Sequence, residues 1–168
     1  PDAELLLDSA AAKVVRDFDR SMLLSPDEWE QVLDSSDSFV PYMDEVLKAD
    51  SSQYEQFVVD LYRANVIAFT SEPLDLVTPF FVEKRGKSTI RLVLDCRAPN
   101  RRFRSCPAMP MASGATWAKV ELKPGEQLHI AQSDIKDCFY NVGLNPALGR
   151  FFSMPPVSVE CLARLGLN

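Results

Sequence analysis

The sequence predicts an α+β fold, with N-terminal helices followed by a β-hairpin and the first strands of an antiparallel sheet. Three observations carry this. Up to about residue 70 the apolar residues recur at helical spacing behind helix-start signals, and after it they alternate in short runs punctuated by Gly and Pro. A chain of 168 residues, 46% hydrophobic and 25% charged, is also long enough to bury a core. The expected organisation is a helical region over 1–72, a hairpin and connection over 73–110, and a sheet start over 111–168.

A first helix is expected over roughly residues 3 to 22. In "SPDEWEQVL", Ser25 is placed as N-cap, Pro26 at the first helical position and Glu28 as the closing residue of a capping box. A short helix follows Pro41. "SSQYEQFVVDLYRANVI" offers Ser52 and Glu55 as a second capping box, ahead of Tyr54, Phe57, Val58, Leu61 and Tyr62 on one face. These stripes are most economically core and carry no chemistry.

The periodicity changes at "TPFFVEKRGKSTIRLVLDCRAPNRRF". An apolar run through Phe80, Phe81 and Val82 enters a charged turn at Gly86 and returns as "TIRLVLD", a β-hairpin with a basic tip. "RSCPAMPMAS" is a proline-broken connection. "TWAKVELKPGEQLHIAQSD" predicts two strands about the turn at Pro124 and Gly125, the second ending at Asp134. "IKDCFYNVGL" follows as a turn or short helix, "GRFFSMP" as a strand, and the tail as the start of a helix.

Charge divides the chain. Residues 1–75 hold 17 acids and 5 bases, whereas residues 76–168 hold 7 acids and 13 bases. Eight of those bases fall between Lys84 and Arg104. Such asymmetry suits a protein that turns one face to a polyanion. It equally suits two faces of opposite sign that pair with each other. The four cysteines are 10, 32 and 23 residues apart, a spacing that matches no zinc pattern. Reduced thiols suggest an intracellular protein. No apolar run is long enough to span a bilayer. An initial Pro with no signal-like layout suggests excision from a longer chain.

Asp134 and Asp137 lie three apart where the predicted strand enters an aromatic turn. Either aspartate could simply cap a helix. A carboxylate fixed at a strand end is also a common holder of a divalent cation. A basic hairpin upstream, able to grip phosphates, makes the second role more specific.

On these two blocks, in this order and about 40 residues apart, the chain resembles the reverse transcriptases of retroelements over roughly residues 60–155. "TPFFVEKRGKSTIRLVLDCRAPNRRF" looks like the fingers hairpin and "SDIKDCFYNVGL" like the first catalytic motif of the palm. The resemblance implies a partial right-hand polymerase, with the first palm strands following the fingers. It implies that Asp134 is the first magnesium-binding aspartate and that the Ile135 carbonyl also reaches a metal. It places Asp137 and Cys138 beside the incoming triphosphate and Phe139 under its sugar. On the hairpin, Arg91 corresponds to the arginine over the incoming nucleotide, and Lys84 or Arg85 to the γ-phosphate contact. Arg97 corresponds to a template-side arginine, which could also brace Asp95 or Asp137. Arg101, Arg102 and Arg104 could meet a template backbone or the acidic helices.

The resemblance has a gap. Residues 138–168 contain no aspartate, so the paired aspartates that would complete a two-magnesium site are missing. The chain is therefore expected to be inactive alone, with Mg2+ bound only in a complete enzyme. Implied partners are an RNA template and a DNA primer. If the sequence is a co-opted or decayed retroelement piece, the partners are proteins covering the truncated sheet. A small unrelated α+β interaction domain is the third reading.

Overall fold

A computed structural model describes residues 1–35, 40–84, 86, 88–106, 113–136 and 138–167, without the side chains of Ser35 and Phe139. The fold is α+β, with a two-stranded antiparallel sheet among the described residues. No helix among them is long and apolar enough to cross a membrane.

The first predicted helix is broken. A 3-10 turn at Ala3–Leu6 precedes α1 (Ser9–Arg16) and α2 (Phe18–Ser21). Asp8 starts α1 by accepting from the N–H groups of Ala10 and Ala11. Helix α3 (Pro26–Ser35) begins as predicted. The Ser25 N–H donates to Glu28 Oε2 at 2.7 Å and the Glu28 N–H donates to Ser25 Oγ at 3.3 Å.

Helices α4 (Glu45–Ala49) and α5 (Ser51–Arg63) are capped by Asp44 and Asp50. The expected Ser52–Glu55 box does not form. Asp50 takes the N–H groups of Ser52 and Gln53, because an aspartate one residue ahead of the helix reaches both. Glu55 is thereby free to face the C-terminal segment, where it accepts from the Ser158 N–H at 3.0 Å and from Arg164 at 2.8 Å.

Strands β1 (Thr78–Glu83) and β2 (Ile90–Asp95) form the predicted hairpin, with Phe80 opposite Val93 and Val82 opposite Arg91. Gly86 sits in its turn at φ 71°, a conformation that favours glycine. Short helices α6 (Arg97–Asn100), α7 (Gly114–Trp117), α8 (Pro146–Gly149) and α9 (Val159–Arg164) complete the regular structure with 3-10 turns at Cys138–Asn141 and Arg150–Phe152.

Two apolar clusters hold these elements. Phe18, Leu148 and Phe151 form one, with Phe103 and Phe152 packed against them. Leu47, Tyr54 and Val58 form the other beneath the hairpin, with Phe57 and Phe81 in edge contact at 5.6 Å. The Tyr54 hydroxyl donates to the Pro155 carbonyl at 2.6 Å, joining α5 to the tail.

Two predicted strand regions are corrected. Residues 120–135 contain no strand and are exposed throughout. Val120, Leu122, Leu128 and Ile130 alternate as a strand pair would, but no second layer covers them among the described residues. A hairpin alone is marginal in water, so alternation without a covering face leaves the backbone unpaired. "GRFFSMP" forms a 3-10 turn instead of a strand. That turn lets the adjacent Phe151 and Phe152 both reach Phe103, whereas a strand would send them to opposite faces. Residues 107–112 of the proline-broken connection lie outside the described residues.

Candidate nucleic-acid interface

The register of the hairpin assigns its two faces. Directly opposed residues share a face, so Thr78, Phe80 and Val82 stand with Asp95, Val93 and Arg91. The alternate set contains Phe81, which packs into the helical core. Arg91 therefore projects from the face opposite the core, on the same side as Phe80 and Asp95, and it is exposed.

Asp95 organises the base of that face. Its side chain is 5% exposed and takes both Nε and a terminal nitrogen of Arg97, at 2.8 and 2.6 Å. It also accepts the Tyr42 backbone N–H at 2.9 Å. Arg97 is thus braced by Asp95, one of the two partners its position suggests. A strap ahead of α4 runs beside β1: the Thr78 hydroxyl donates to the Tyr42 carbonyl at 2.8 Å and the Asp44 N–H to the Pro79 carbonyl at 2.9 Å. Tyr42 and Phe80 meet edge to face with centroids 5.0 Å apart. Beside them lies an open hollow of about 480 Å³ that also takes in Cys96, Arg97 and Asn100.

The Arg97 guanidinium, aided by the Tyr42 N–H, holds the Asp95 carboxyl well below the usual carboxylate range, against the opposing effect of burial. Burial pushes the Cys96 thiol up, and the Asp95 charge adds to this, so Cys96 is a poor nucleophile. Because the folded pKa of Asp95 lies below the unfolded value of about 4, the stability it contributes is present above that pH. It is lost as pH falls towards the folded value. Glu28, Asp50 and Glu55, also held low by hydrogen bonds, act in the same direction. Thermal unfolding scans should show Tm falling as pH drops below about 4, with a shallower fall in Asp95→Asn. Superimposable profiles would remove Asp95 from that account.

The arginines after α6 turn to the acidic helices. Arg102 donates to Asp75 at 2.7 Å and lies 4.3 Å over the Trp29 ring. Arg101 donates to the Val32 carbonyl at 3.3 Å. Arg104 grips Glu28 with two nitrogens at 2.9 and 2.8 Å and donates to the Leu23 carbonyl. A phosphate would have to share each guanidinium with these partners or displace them.

The palm-like motif is less organised. Asp134 and Ile135 are exposed on irregular backbone, and Cys138 is half-buried at the start of a 3-10 turn. Phe139 lies in that turn, while Arg85 and Asp137 lie outside the described residues. Lys84 is exposed at the end of β1, its N–H donating to the Thr89 carbonyl at 3.0 Å. Near the end of the motif, the N-terminal residues clasp Gly143, which donates to the Pro1 carbonyl and accepts from the Ala3 N–H, each at 2.9 Å. Among the described residues no three His, Cys, Asp or Glu side chains converge on a point that could hold a metal. Asp134 alone does not fit the two-magnesium site that the motif implies.

Comparison with known proteins finds no matching family model, curated protein or solved structure.

Tyr42 escaped the sequence reading. An aromatic between a Pro and a helix cap has no periodic signal, and its partners lie 36 and 53 residues away.

Proposed function

We propose that this chain is the fingers and the beginning of the palm of a retroelement reverse transcriptase, and that its own activity is to bind primer–template rather than to polymerise. The observation that supports it most is the common face of Arg91, Phe80 and the Asp95–Arg97 pair. Side chains four residues apart on one strand face stand about 13 Å apart. Arg91 thus stands at one end of this face and the Asp95-braced Arg97 beside the other, offering two cations to one strand of nucleic acid. The order of hairpin and "SDIKDCFYNVGL" motif supports the same reading.

Nucleotidyl transfer is not assigned to the chain alone, because residues 138–168 contain no aspartate to complete a two-magnesium site with Asp134. The function that remains is electrostatic and aromatic contact with a strand. Such binding should weaken steeply with salt. Fluorescence anisotropy with an RNA–DNA primer–template should show Arg91→Ala binding more weakly and with a salt slope smaller by about 1. Wild-type binding absent even at low salt would overturn the proposal.

The exposed Val120, Leu122, Leu128 and Ile130 favour a second reading, a non-catalytic module whose alternating segment is covered by a protein partner. That reading predicts a protein complex with little salt dependence and no loss in Asp134→Asn.

A further inference from the structure

The hollow at the base of the hairpin is walled by a residue from the helical region. Tyr42 is held through its backbone, its N–H by Asp95 and its carbonyl by the Thr78 hydroxyl. The ring is left 52% exposed, set edge to face against Phe80. Also lining the space are Arg97, whose guanidinium is fixed in orientation by Asp95, and Asn100 of α6, which can donate and accept. An exposed aromatic, a planar cation and an amide around an open hollow of about 480 Å³ suit a planar heterocycle that brings both a π-face and a polar edge.

We propose that Tyr42 and Phe80 form the aromatic wall of a slot for one unstacked base of a single-stranded overhang, a role that rests on the primer–template reading above. The slot adds a non-electrostatic, base-directed contact to a surface otherwise governed by phosphate attraction. Stacking tolerates any base, because each has a π-face. The slot therefore fixes the position of the strand rather than its sequence.

The test is binding of the full chain to a primer–template with a single-stranded template overhang, in which one abasic position is walked along the overhang. Wild-type affinity should drop roughly tenfold at one position and hardly change at the others. Tyr42→Ala should bind the intact overhang roughly tenfold more weakly and lose the position dependence, while Tyr42→Phe behaves as wild type. The substitution leaves both backbone hydrogen bonds of residue 42 in place, and an unchanged unfolding midpoint verifies the fold. An abasic penalty that survives in Tyr42→Ala, or equal affinity of Tyr42→Ala and wild type, overturns the slot. If Arg91→Ala still weakens binding in that case, the primer–template reading stands without it. If wild type binds no overhang at all, both fall.

Discussion

Phe151→Ala should lower unfolding stability by about 4 kcal/mol, enough to leave much of the chain unfolded at moderate temperature. Phe151 is 8% exposed and touches two other rings edge-on, Phe18 at 6.2 Å and Phe103 at 5.7 Å. Its removal takes away the burial of a whole phenyl group and both edge contacts, and it leaves a void between α2, α8 and the segment after α6. Phe152 supplies the comparison. It is only half-buried and stacks on Phe103 alone, so Phe152→Ala should cost clearly less. Urea unfolding with an unchanged slope would read both. Equal losses in the two variants would mean that the cluster is not centred on Phe151.

Asp95→Ala is the second large effect, at about 3 kcal/mol. The buried carboxylate accepts from Tyr42 and Arg97, so its removal strands the backbone N–H groups of both and releases a guanidinium. Asp95→Asn should cost less, because an amide oxygen can still accept from Tyr42. The two variants separate the hydrogen bond from the charge. The alanine variant should loosen the strap that holds Tyr42 over Phe80, so its overhang binding should fall with its stability, whereas the asparagine variant keeps the strap. A stable Asp95→Ala with intact binding would contradict the placement of Asp95 at the centre of this site.

The parts of the fold that were legible in the sequence are those decided by neighbours along the chain. The Ser25–Glu28 box and the hairpin from Thr78 to Asp95 need only local pattern, and both form as read. The segment at 120–135 has an equally regular pattern, but a strand also needs a partner and a covering layer, which alternation does not supply. The break in the first helix lies at Asp8 and Asp17, whose preference for caps competes with the apolar spacing around them. In the site, the Asp95–Arg97 brace could be anticipated because its members lie only two positions apart along the chain. The choice of the 101–104 arginines between phosphate and acid could not, since Glu28 and Asp75 approach them from distant segments.

The tie between α5 and the tail has a consequence for synthesis. Tyr54 and Glu55 find their partners at Pro155 and Ser158, 101 and 103 residues downstream. At roughly 5–20 residues per second, a ribosome needs on the order of 5 to 20 s to deliver them. During that interval α5 has left the exit tunnel, or is leaving it, with the side that should meet the tail still open to solvent. The nascent chain therefore passes through a stage in which a formed helix waits for its last wall. That stage is when chaperone capture or premature self-association would decide the yield of folded protein.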